Sequence, residues 1–147
     1  MSFAKYIENL ETSELQLTTI RTKLLQELFE SKKPLTSDEL VMKMDRHGVS
    51  AHRATIYRDL DYFVENNIVS ILKIVGEKAR LYELNREHRH HFKCMKCGSI
   101  GVFSAPGVEK ELAKLEKTLK KQNGWLVQSH SLKLYGLCKT CNKNDEK

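Results

Sequence analysis

The sequence predicts an α+β protein in two parts, an N-terminal winged helix-turn-helix and a small α/β domain carrying a four-cysteine zinc site. Three observations predict it. Helical periodicity in the first half gives way to two strand-like runs; all four cysteines fall in the second half as two C-x-x-C pairs; and charge shifts sharply between the halves. A chain of 147 residues is long enough for one domain or two small ones. With 40% hydrophobic and 30% charged residues and a mean hydropathy of −0.50, it reads as a soluble globular protein. No apolar run approaches the ~20 residues that span a bilayer. The opening MSFAKYIENLETSEL is acidic and amphipathic, without the basic and apolar regions of a signal peptide, so the expected compartment is the cytoplasm and no membrane is implied.

The first helix lies in LTTIRTKLLQELFESK, where Ile20, Leu24, Leu25, Leu28 and Phe29 recur at helical spacing, and Lys32-Lys33-Pro34 ends it. Thr36 with Glu39 forms a capping box for a short helix that buries Leu40, Val41 and Met44, closed by Gly48. A third helix starts after Ser50 and buries Ile56, Leu60, Phe63 and Val64. Two strand-like runs come next, 68–75 and 79–84, joined through Gly76-Glu77. Helices and then a hairpin is the order of a winged helix-turn-helix, whose last helix enters the major groove. Opposite the apolar stripe of that helix stand Ala51, Ala54, Thr55 and Arg58, with Tyr57 on the flank. Small side chains permit close approach to base edges, methyl groups suit thymine, and Arg58 can reach a phosphate or a guanine. An ordinary three-helix core with a solvated face fits the same residues.

A short polar stretch at Asn85–Glu87 divides residues 1–85 from 86–147. The formal charge of +6 favours an anionic partner, yet residues 1–85 carry −1 and residues 86–147 carry +7. Lys110, Lys114, Lys117, Lys120 and Lys121 account for much of that excess and also suit a solvated helix face. In the second half HHFKC and SIGVF flank the first C-x-x-C as a hairpin. Pro106-Gly107 breaks the chain before an amphipathic helix with Val108, Leu112, Leu115 and Leu119 on one face. Asn123-Gly124 ends that helix, and a long strand, WLVQSHSLKLYGLC, leads to the second C-x-x-C.

Cys94, Cys97, Cys138 and Cys141 leave no spare thiol, and without a signal peptide a tetrahedral four-thiolate Zn2+ fits better than disulfides. One such zinc per subunit supplies folding energy to a small domain. Side chains alternate along a strand, so His88 and His90 share one face, while Arg89 and His91 share the other, where a fixed positive charge opposes a cation. His130, among apolar neighbours, suits either a core hydrogen bond or a ligand; Glu109 suits either the helix dipole or a ligand. Together His88, His90, Glu109 and His130 make a nitrogen-and-carboxylate set that takes Fe2+, Zn2+ or Mn2+. A hydrolytic zinc enzyme is excluded by the lack of a vacant ligand position, of H-E-x-x-H and of a substrate cleft.

At HRHHFKCMKCGSIGVF (88–103), RATIYRDL (53–60), SHSLKLYGLC (129–138) and CKTC (138–141), the chain resembles the ferric uptake regulator (Fur) family of metal- and peroxide-responsive repressors over roughly residues 10–141. The resemblance implies a homodimer with winged helices on a palindromic double-stranded DNA operator, residues 86–147 as the dimerisation domain, and structural zinc on the four cysteines. It places Tyr57 and Arg58 on the family's DNA-contacting pair, with Ala54 and Thr55 beside them. It implies a regulatory metal that controls operator binding. The family's interdomain sensor positions here hold Pro34, Glu83, Arg89 and His91, so Glu83 and His91 are at best remnants of that site. Its other site maps onto His88, His90, Glu109 and His130, which is expected to carry the non-structural metal. The alternatives are a zinc-stabilised winged-helix protein without metal sensing, and a metal-based peroxide sensor of the same fold.

Overall fold

The computed structural model describes residues 1–12, 15–49, 51–86 and 88–143, and the chain divides into two compact units, 1–87 and 88–147. The first unit contains α1 (Phe3–Glu11), α2 (Thr19–Glu30), β1 (Leu35–Thr36), α3 (Ser37–Arg46), α4 (Arg53–Glu65), β2 (Val69–Leu72) and β3 (Leu81–Leu84). The strands form an antiparallel sheet in the order β1-β3-β2, with Leu35 opposite Tyr82 and Val69 opposite Leu84.

The helical stripes converge as their spacing predicts. Leu24 and Leu25 of α2, Leu40 and Met44 of α3, and Ile56, Leu60 and Phe63 of α4 are all fully buried in one cluster. The Thr36–Glu39 capping box forms reciprocally, each side chain bonding the other residue's backbone N–H, at 3.1 and 2.8 Å. Helix α1 is an addition to the predicted set; its Phe3 and Tyr6 pack against Phe29 at ring-centroid distances of 5.3 and 5.5 Å. The start predicted at Ser50 lies outside the described residues; α4 itself begins at Arg53 after His52. The strands are shorter than predicted, since residues 73–80 form the turn region of the hairpin, with Gly76 at φ +79°. Asn85 is tied back to the first unit, its N–H bonding Ile68 O at 2.8 Å and its side-chain amide bonding Asn67 O at 3.1 Å. Arg86 stacks over Phe29 at 4.2 Å.

The second unit contains β4 (His90–Cys94), β5 (Ile100–Phe103), α5 (Pro106–Asn123), β6 (Lys133–Gly136) and α6 (Lys139–Lys143). The sheet order is β5-β4-β6, with β4 antiparallel to β5 and parallel to β6. Two expectations are corrected here. Pro106-Gly107 does not break the chain; it opens α5, where a proline at the first position loses no helical hydrogen bond. The long strand shrinks to β6, because β4 begins only at His90 and its parallel register starts at His91 opposite Lys133, with the His91 N–H on Leu132 O at 3.2 Å. Gly124, at φ +71°, closes α5 as predicted. No α5 residue is buried. Glu109, Leu112, Glu116 and Leu119 are half-buried along one side, while Val108 and Leu115 stay exposed.

Candidate metal centres and nucleic-acid face

The parallel pairing of β4 with β6 sets Cys94 opposite Gly136, which delivers the second C-x-x-C to the first. A turn after Cys94, with Gly98 at φ +73° and its N–H on Cys94 O at 2.9 Å, folds Cys97 back over the strand end. Cys138 precedes α6, and Cys141 sits within it. One sulfur from each cysteine lies within 4.8 Å of the other three. Cys97 Sγ and Cys138 Sγ are 3.8 Å apart. That is the edge of a tetrahedron built on Zn–S bonds of ~2.3 Å, and far longer than the ~2.05 Å of a disulfide. Backbone N–H groups of Cys97 and then Cys138 hold the Cys94 thiol down to about 6, whereas burial and then the adjoining sulfurs push Cys141 up to about 12. Cys138 is also held below the ordinary thiol value, by the Cys141 backbone N–H first, and a bound metal deprotonates such thiols outright. The donors fit structural zinc.

The second cluster is built from the start of β4, the first turn of α5 and the segment before β6. Glu109 stands at its centre, 2.6 Å from His90 Nε2, 3.4 Å from His88 Nε2 and 3.2 Å from His130 Nε2. All four donor atoms lie within 4.8 Å of one another. His88 and His90 do share a side, with rings 4.8 Å apart, and His88 and His130 are 4.3 Å apart. Burial raises the Glu109 carboxyl, but hydrogen bonds from His90 and His130 and the charges of His130 and His88 outweigh it and hold it below the usual carboxylate range. His90 Nδ1 is buried without a hydrogen-bond partner. Tetrahedral bonds of ~2.0–2.1 Å have edges of ~3.3 Å, close to the Glu109 contacts with His88 and His130, so these residues fit a divalent cation. A shallow cleft of about 290 Å³ beside His88, His90 and Glu109 opens the cluster to solvent.

Neither of the remaining metal candidates is among the donors of this cluster. His91 is buried on β4, opposite Val102 and Lys133. Glu83 lies on β3 of the first unit, opposite Ser70. One residue was missed by the sequence reading: Glu116, whose Oε1 lies 3.6 Å from His130 Nδ1. Its signal was the seven-residue spacing from Glu109 on the same helix face.

On α4, Ala54, Tyr57 and Arg58 are exposed, while Thr55 is half-buried, its N–H bonding His52 O at 2.8 Å. Beside this face Arg21 donates from Nε to Asp59 at 2.9 Å and from a terminal nitrogen to Gln16 O at 2.8 Å, and stacks 3.7 Å from the Tyr62 ring centre. Helix α2 and the stretch at Gln16 are thereby tied to the helix that presents Tyr57 and Arg58.

The Ferric uptake regulator family model matches residues 12–135. The ferric uptake regulation protein of Neisseria meningitidis is 33% identical over 138 residues, covering 92% of each chain. The peroxide operon regulator of Bacillus subtilis is 27% identical over 139 residues, covering 95% of this chain and 92% of its own. Among solved structures, the Helicobacter pylori ferric uptake regulator, described as having three functional metal binding sites, superposes with a TM-score of 0.77 at 25% identity, covering 97% of this chain and 95% of its own. The chain belongs to the ferric uptake regulator family of metal-responsive transcriptional regulators.

Proposed function

We propose that this chain is a repressor that binds a palindromic double-stranded DNA operator as a homodimer, under control of a divalent metal at His88, His90, Glu109 and His130. The observation that carries the reading is the convergence of those four donors around one carboxylate, in a unit whose four cysteines form a separate thiolate cage. Zinc on Cys94, Cys97, Cys138 and Cys141 is structural, since four thiolates leave no open position. The second metal, Fe2+, Zn2+ or Mn2+, supplies a dication that holds three imidazoles and a carboxylate in one geometry. Metal controls DNA binding to the extent that it binds the DNA-competent conformation more tightly.

Ala54, Thr55, Tyr57 and Arg58 are the residues we assign to the DNA face, in residues 1–85. Arg58 provides the charge, and Tyr57 a ring and a hydroxyl. Dimerisation falls to residues 86–147, supported by apolar side chains left in solvent: Leu115 is 50% exposed, Trp125 60% and Leu126 74%. Several large apolar side chains left exposed on one small unit support an interface there. Glu83 and His91 carry no required role in this reading, because Arg89 places a permanent cation beside His91 in sequence. No catalytic step is assigned, and the working compartment is the cytoplasm, where the DNA is. Among the described residues no helix is long and apolar enough to cross a membrane.

The test is metal analysis of the purified chain, then binding to duplexes selected from a random pool, with and without a chelator that spares the cysteine zinc. Two metals per chain, with binding lost as the second leaves, are expected; His88→Ala with His90→Ala should retain one zinc and lose the other metal. One zinc and chelator-indifferent binding would overturn the reading and favour the zinc-only alternative. Loss of binding on peroxide treatment of the iron form, but not of the manganese form, would favour the peroxide-sensing alternative.

A further inference from the structure

We propose that Glu116 is a positioning residue for the histidine site, holding the His130 ring so that Nε2 faces the cation. The proposal rests on the metal site assigned above. His130 lies between two carboxylates of one helix, with Nε2 3.2 Å from Glu109 Oε2 and Nδ1 3.6 Å from Glu116 Oε1. Seven residues of α-helix rise ~10.5 Å, which is about the span covered by an imidazole with a carboxylate at each nitrogen. The spacing of Glu109 and Glu116 therefore suits a ring laid along two turns of α5.

The chemistry is set by the protons each group can donate. A neutral imidazole carries its proton on one nitrogen and a lone pair on the other. An ionised carboxylate only accepts, so beside Nδ1 it favours the proton there and leaves the Nε2 lone pair for a metal. The 3.6 Å separation is within ion-pair reach and a few tenths of an ångström beyond a hydrogen bond. The three histidines are not equivalent in this respect, since His90 Nδ1 is buried with no partner. Glu116 is also half-buried on the inner side of α5, between exposed Leu115 and Lys117.

The experiment titrates Co2+ into full-length protein already carrying zinc on its cysteines, monitoring the cobalt absorption bands for wild type, Glu116→Gln, Glu116→Ala, Glu109→Ala and Lys117→Ala. Cobalt affinity should fall by about 10–100-fold in Glu116→Ala and less in Glu116→Gln, whose amide oxygen still accepts from Nδ1–H. Band shape, zinc content and melting temperature should stay as in wild type, and Lys117→Ala should change nothing. Nitrogen-15 spectra should show His130 with its proton on Nδ1 in wild type and as a mixture of tautomers in Glu116→Ala. Unchanged affinity in Glu116→Ala would overturn this role alone. A loss equal to that of Glu109→Ala with altered band shape would overturn it by making Glu116 a ligand. A wild-type chain that takes up no cobalt beyond its zinc would overturn the site itself, and the role with it.

Discussion

Replacing Cys141 by serine should unfold the second unit and leave the first intact. In the first unit, leucines, isoleucine, methionine and phenylalanine from three helices make a fully buried cluster. Among the described residues of the second unit there is no such cluster: the buried apolar ones are Cys94 and Cys141 themselves, and α5 has half-buried but no fully buried residues. Helical stability in proteins comes mostly from tertiary packing, so the order of the 18-residue α5, which has no fully buried residue, depends on the groups that anchor it. Structural zinc contributes about 10–16 kcal/mol in small domains, as large as the ~5–15 kcal/mol of a whole domain's stability. Opening the thiolate cage thus removes enough to unfold this unit. Hydrogen exchange read by mass spectrometry on dilute protein is the assay, with zinc content measured in parallel. Amide protection should collapse across β4, β5, α5 and β6, and persist in α2, α3 and α4. Protected α5 amides in zinc-free protein would refute the reasoning, as would simultaneous loss of protection in α2–α4.

Arg58→Ala should weaken DNA binding while leaving metal content unchanged; the fall should be about 1–3 kcal/mol with relaxed sequence preference if Arg58 reads a base, or a salt slope reduced by about 1 if it meets a phosphate. On the proposed homodimer, Leu115→Glu should shift dimer to monomer in sedimentation, since it charges an apolar side chain the unit itself leaves half exposed. Thr36→Ala removes the α3 cap and should cost about 1 kcal/mol, lowering the first unit's melting temperature by roughly 4–8 °C. For Glu39, burial raises the carboxyl, but the Lys33 hydrogen bond and charge and the Thr36 N–H outweigh it and hold it below the ordinary range. A depressed folded value means its contribution is complete above the unfolded-state value and is lost as pH falls through the folded one. Glu39→Gln should accordingly flatten the acid limb of the stability profile, read by thermal melts across that range.

Local pattern alone determined α2, α3 and α4 of the first unit, the capping box at Thr36, the hairpin around the first C-x-x-C and the four-thiolate cage; α1 was not read. Each rests on residues close in sequence or on a ligand chemistry with few alternatives. Alternation along the chain also sorted His88 and His90 away from Arg89 and His91. It could not decide whether Glu109 and His130 were ligands, because either has an ordinary use in a helix turn or a core. Tertiary structure brought those two groups together, when the parallel β4–β6 pairing and the start of α5 set His130, 21 positions from Glu109, against its carboxylate. Proline at 106 misled for a related reason: the same rigid φ that stops a helix also starts one, and the choice depends on how the next residues pack. The predicted 125–138 strand shortened because strand residues need a neighbour to pair with, and β4, running parallel to it, begins only at His90. Glu116 stayed hidden because its partner comes from outside its own helix. Sequence thus determined which residues are able to hold a metal or meet DNA, and the fold decided which of them meet, since convergence depends on distances that no local pattern encodes.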